Sequence, residues 1–79
     1  MDIADTVKKI MAETFRVDPS DIQDSVTMDE IDTWDSLTHM ELVANLESTL
    51  GIVFDGDEIA DMSSVLAIQK LVVEKHGAR

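Results

Sequence analysis

The sequence has no cysteine and no tyrosine, and only one proline, one tryptophan and three glycines in 79 residues. Without cysteine there is neither a disulfide framework nor a thiolate metal site, so any thiol the protein uses must be attached to it. Scarce glycine and proline leave few helix breakers, and no sustained alternation of apolar and polar residues marks a strand. The expected fold class is therefore all-α. No apolar stretch nears the ~20 residues needed to span a bilayer, which argues against membrane insertion. The opening Met1-Asp2-Ile3-Ala4-Asp5 has neither the basic region nor the apolar run of a signal peptide, and a cytoplasmic location is expected. A chain of this length makes one domain, residues 1–79, with a modest core; it buries only about 60% of the surface its unfolded form exposes.

Positive charge is the other scarcity. Lys8, Lys9 and Arg16 lie near the start, Lys70, Lys75 and Arg79 near the end, and from Val17 to Gln69 there is no lysine or arginine. Acids outnumber bases 17 to 6, for a net charge of −11. Such a field repels nucleic acid and steers basic protein surfaces toward the chain. The blander reading of the acidity is solubility alone.

Apolar spacing divides the chain into helices. Ile3, Val7, Ile10, Met11 and Phe15 share one face of a first helix over about Ile3–Phe15, with Asp2 placed to cap it and Arg16 at its negative end. A long connection follows from Val17 to Trp34, with a turn at Asp18-Pro19-Ser20-Asp21. Loops of this length are usually pinned or functional; Ile22, Val26, Met28, Ile31 and Trp34 recur often enough to pin it, and Trp34 alternatively suits a partner contact. The second helix begins at Asp35 or Ser36 and ends near Leu50, with Gly51 just beyond. Its buried stripe is Leu42, Val43, Leu46 and Leu50, with Leu37 and Met40 at the edges. Asp55–Met62 supports one short helix, and Ser63 or Ser64 caps a last helix through about Lys75, with Gly77 as its stop. The expected architecture is a small four-helix bundle, three longer helices and a short third, with a long loop between the first and second.

Asp35-Ser36-Leu37 carries the chemistry. A serine in the first turn of a helix sits beside unpaired backbone N–H groups and the positive end of the macrodipole, a favourable seat for a phosphate ester. Leu37 is expected to anchor the turn in the core while the neighbouring hydroxyl stays in water. A tripeptide is a weak signal by itself, and a serine there also serves as an ordinary helix cap. Asp24-Ser25-Val26 offers an internal comparison, because it lies in the loop and opens no long amphipathic helix.

With these residues in view, the chain resembles the acyl carrier protein family over nearly its whole length. The resemblance rests on the length, the acidity, the long first loop and Asp35-Ser36-Leu37 opening the second helix. Glu41-Leu42-Val43, Leu46-Glu47, the short acidic third helix and the closing Val65–Val73 segment add to it. It implies that Ser36 receives 4′-phosphopantetheine from coenzyme A through a phosphopantetheinyl transferase, with Asp35 and Leu37 flanking the attachment. The arm's thiol would then carry acyl groups as thioesters. Acyl-loading and acyl-transfer enzymes with basic docking patches would read Asp35, Met40, Glu41, Ala44 and Glu47, with Asp57, Glu58 and Asp61 assisting. Met40 fits a core position as well as a contact. Val43, Leu46, Phe54, Ile59, Met62 and Ile68 would line an acyl-chain pocket, although the same residue types fit a solid core equally. The resemblance implies a monomeric carrier with no catalytic turnover.

Departures from the family's bulk-synthesis pattern point to a carrier dedicated to one pathway. Ile31-Asp32-Thr33-Trp34 precedes the motif without the usual glycine two residues before Asp35, and Thr38, His39, Ser48 and Thr49 thin the acidity of the second helix. His39 is expected to be solvated or partner-facing rather than half of a catalytic pair, since no third orienting group suggests itself. Asp55-Gly56-Asp57-Glu58 lacks the ligand alternation of a calcium loop, and no metal site is expected. An aminoacyl or peptidyl carrier is the nearest alternative; an unmodified acidic adaptor is the alternative from another class.

Overall fold

The computed structural model describes residues 3–77, and among them four α-helices follow one another: α1 Ile3–Phe15, α2 Ser36–Leu50, α3 Gly56–Asp61 and α4 Val65–Gly77. The expectation that Asp2 caps α1 lies outside the described residues. The expected all-α fold is the observed one, and several helix boundaries have a visible local cause.

At the end of α1, Val17 N–H donates to the Ala12 carbonyl at 3.1 Å and Arg16 adopts φ 59°. This six-to-one bond with a left-handed residue inside it is the Schellman stop, normally made with glycine. Here an arginine accepts the left-handed strain. The stop after α2 is the simpler left-handed one: Gly51, at φ 66°, donates its N–H to the Glu47 carbonyl at 2.9 Å, a five-to-one bond. α3 opens with a reciprocal box: Glu58 N–H donates to Asp55 Oδ1 at 2.8 Å, and Asp55 N–H to Glu58 Oε1 at 3.0 Å. Ser64 is the residue that caps α4, its Oγ accepting from Ala67 N–H at 3.1 Å.

The long loop is held in place, as its apolar residues predict. Ile22, Ile31 and Trp34 are buried, and Val26 and Met28 pack against the core. Trp34, only 3% exposed, stacks on Phe15 of α1 with ring centroids 5.0 Å apart. Two backbone bonds then tie the loop to the start of α4: Met28 N–H to the Ser63 carbonyl and Val65 N–H to the Val26 carbonyl, each at 2.9 Å. Lys8 of α1 adds an ion pair with Asp24 at 2.8 Å. Short 3-10 turns at Pro19–Asp21 and Met28–Glu30 tighten the path between these anchors.

One apolar cluster joins everything. Val7, Met11 and Phe15 of α1 meet Leu42 and Leu46 of α2 and Val65, Ile68 and Val72 of α4. Burying each such side chain contributes roughly 1.5–3 kcal/mol, offset largely by the entropy of ordering a small chain. α1 is the central helix, packing against both α2 and α4. α3 contributes no fully buried residue; its flanks do so instead, through Phe54 and Met62. Among the described residues no helix is long and apolar enough to cross a membrane.

Candidate functional site

The first turn of α2 is built by a carboxylate. Asp35 Oδ1 accepts from the N–H groups of Leu37 and Thr38, both at 3.0 Å, and Thr38 Oγ1 accepts from Asp35 N–H at 2.9 Å. Thr38 Oγ1 also donates to the Thr33 carbonyl at 2.6 Å, which fixes the approach of the loop. The Thr38 N–H above all, against a smaller opposing effect of desolvation, holds the Asp35 carboxyl below its usual 3.8. Asp35 is thus ionised at neutral pH and committed to the helix start.

Ser36 follows as the first residue of α2. It is exposed, and its hydroxyl meets no other side chain or carbonyl among the described residues. The reading of Ser36 as the cap is replaced by Asp35, and this changes the electrostatics. Two of the unpaired N–H groups that the sequence offers to a phosphate are already taken by Asp35, so a group on Ser36 gains the helix dipole but not those donors. Ser25, the comparison serine, is also exposed but sits in a turn.

Leu37 does not anchor the turn in the core; it is 72% exposed. The cap at Asp35 fixes the rotation of α2, and with Leu42, Val43, Leu46 and Leu50 facing inward, position 37 falls on the far side. Met40 is likewise 52% exposed rather than an edge of the core. Leu37 and Met40 therefore lie in water close to Ser36. Glu41 and Ala44 are exposed on the same helix. Glu47 is half-buried, and its Oε2 accepts from Phe54 N–H at 2.9 Å.

On α3, Asp57 and Asp61 are exposed, while Glu58 is half-buried and pairs with Lys75 of α4 at 2.7 Å. The Lys75 ammonium, chiefly through its hydrogen bond, holds Glu58 below its usual 4.5. Val43, Leu46, Phe54, Met62 and Ile68 all belong to the buried cluster, and Ile59 packs against it.

His39 is neither solvated nor partner-facing. It is half-buried, accepts from Trp34 Nε1–H at Nδ1 at 3.0 Å, and lies 3.0 Å from the Ile59 carbonyl through Nε2. Its spacing was the available signal: His39 precedes Leu42, Val43 and Leu46 by three, four and seven residues, the inward face of α2. Among the described residues, no group of three or more histidine and carboxylate side chains is arranged to hold a metal ion.

An exposed serine heads a capped helix on a four-helix fold with a pinned first loop, the arrangement of a small helical carrier domain. Residues 5–72 match the family described as "Phosphopantetheine attachment site", and the chain belongs to that family. No curated protein matches it. Among solved structures it is similar to the solution NMR structure of holo acyl carrier protein from Geobacter metallireducens, with a TM-score of 0.87 and 29% identity over 99% of this chain and 90% of that one. The chain is an acyl-carrier-type protein, not an enzyme, and its cofactor is covalent 4′-phosphopantetheine.

Proposed function

We propose that Ser36 carries the phosphopantetheine arm and that the chain, acting as a single module, presents acyl groups as thioesters to partner enzymes. The observation behind this reading is the free Ser36 hydroxyl, exposed beside a cap that Asp35 and Thr38 hold rigid. In the attachment step the Ser36 oxygen forms the new bond to phosphorus as the pyrophosphate linkage of coenzyme A breaks; adenosine 3′,5′-bisphosphate leaves and the serine proton passes to the transferase. The arm supplies the thiol that the sequence lacks. Asp35 orients the serine through the helix start, and its fixed charge faces the approaching transferase.

Partner docking rests on Leu37, Met40 and Ala44 as apolar contacts and on Glu41, Asp57 and Asp61 as free carboxylates. Glu47 and Glu58 already have internal partners, which makes them supports of the docking face more than contacts. Exposed charges of this kind raise the encounter rate more than the affinity. The interior around Val43, Leu46, Phe54, Met62 and Ile68, with Ile59 at its margin, is the proposed shelter for an acyl chain. The thinned acidity of α2 and the Trp34 spelling support a carrier dedicated to one pathway.

The test is intact-mass measurement after incubation with coenzyme A and a phosphopantetheinyl transferase. One arm is expected on the wild-type chain and on Ser25→Ala, and none on Ser36→Ala. A modified Ser36→Ala chain would move the site elsewhere, and an unmodified wild type would leave the acidic-adaptor alternative. Dedication to a pathway is tested separately. The general fatty-acid elongation enzymes should process the acylated chain much more slowly than the host's main carrier, and equal rates would sink that part of the reading.

A further inference from the structure

Two of the residues that depart from the bulk-synthesis pattern, Trp34 and His39, are partners in the fold. Their rings stack with centroids 6.2 Å apart, and Trp34 Nε1–H points at His39 Nδ1 at 3.0 Å. An indole nitrogen only donates, so Nδ1 must accept. The other ring nitrogen, Nε2, lies 3.0 Å from the Ile59 carbonyl, which only accepts. A single state of the ring satisfies both neighbours: neutral, with the proton on Nε2. Trp34 is itself fixed by stacking on Phe15 of α1. A continuous path therefore runs from α1 through the end of the loop and α2 to the backbone of α3.

α3 depends on such a tether. It has six residues and no fully buried side chain, which places it at the low end of local stability. Its apolar hold comes from its flanks and from Ile59, packed at the margin of the core. Among the described residues, two side chains from other helices make polar contacts with it: Lys75, paired with Glu58, and His39, bound to the Ile59 carbonyl.

We propose that His39 is a positioning residue that fixes α3 against α2, with Trp34 orienting its ring. The position of the acidic α3 relative to Ser36 is then set by this hydrogen bond together with the packing of its flanks and the Lys75–Glu58 pair. This assignment stands on geometry; its consequence for cargo and docking rests on the carrier reading above.

The test uses the full ¹⁵N-labelled chain in its unmodified form. Long-range proton–nitrogen spectra at neutral pH should show the His39 ring with Nε2 protonated and Nδ1 bare. Amide exchange then compares two variants. His39→Phe keeps a ring on Trp34 and removes both hydrogen bonds; α3 amides should exchange about tenfold faster, the scale of one lost bond, with α1 and α4 unchanged. His39→Gln offers an acceptor and a donor side by side and should restore α3 protection to within about twofold of wild type. Proton on Nδ1, unaltered α3 exchange in His39→Phe, or an equal rise in α1 and α4 would overturn the proposal. So would a His39→Gln chain as unprotected as His39→Phe. Arm attachment is read separately by mass: its loss would sink the carrier reading and leave the α3 result standing.

Discussion

At Asp35 one carboxylate both starts α2 and sits beside the proposed attachment serine, and substitution separates the two duties. Asp35→Ala removes the acceptor for Leu37 and Thr38 N–H and should cost about 1 kcal/mol in chemical denaturation. Asp35→Asn keeps an acceptor of the same shape, so its stability should stay within a few tenths of a kcal/mol of wild type. Arm attachment should still slow in Asp35→Asn if the charge itself guides the transferase. Equal stability losses in the two variants would contradict the capping account. Arg16 makes the opposite case. Its left-handed φ of 59° costs an ordinary residue about 1–2 kcal/mol, partly offset for glycine by the greater freedom of its unfolded chain. Arg16→Gly should therefore raise stability by up to about 1 kcal/mol, and a loss would show that the arginine side chain has a compensating role.

Three helical starts among the described residues are capped by a carboxylate. Asp18 accepts from Ser20 N–H and hydroxyl, Asp35 from Thr38 and Leu37, and Asp55 from Glu58. The carboxyls of Asp18 and Asp35 are held below 3.8 chiefly by those backbone N–H groups, and Glu58 below 4.5 chiefly by Lys75. A folded value below the unfolded one means stabilisation that is complete above the unfolded value and lost as pH falls through the folded one. Carboxyl titration by NMR should find the Asp35 midpoint below 3.8, with the first turn of α2 fraying through the same range; a midpoint at or above 3.8 would contradict the cap.

Much of this was readable at the scale of the element. Spacing located α1, α2 and α4, because the apolar faces that form the core repeat at the helical period, and the acidic and glycine boundaries have local chemistry. Leu37 misled because apolar character does not fix rotation; the Asp35 cap and the Leu42–Leu50 stripe do. His39 lay on the inward face by spacing alone, yet its partner is a backbone carbonyl on α3, and a carbonyl has no sequence signature. The bonds between the loop at Val26 and Met28 and the start of α4 were equally silent, since they involve main chain only. The exposed position of Ser36 was legible because it depends on a local feature, the head of a helix. The interior residues carry no comparable signal, because an acyl shelter and a packed core use the same residue types.

At the scale of the whole molecule, the chain carries 17 acids and 6 bases, and its body measures about 32 × 27 × 20 Å. At roughly 10 mM salt the screening length is about 30 Å and every charge feels the rest; at roughly 150 mM it is about 8 Å. With a net charge of −11, self-repulsion opposes the folded state, so Tm should rise over that range of salt. A flat or falling Tm would mean that the ion pairs at Lys8–Asp24 and Lys75–Glu58 outweigh the repulsion. The same field would steer basic protein surfaces toward the chain.

The central claim is that one exposed hydroxyl on α2 bears the arm. Fragment-mapped mass spectrometry of the protein purified from its own host tests it most directly. The account predicts a single phosphopantetheine confined to the peptide bearing Ser36, and an arm mapped to Ser25, or to any other residue, would contradict it.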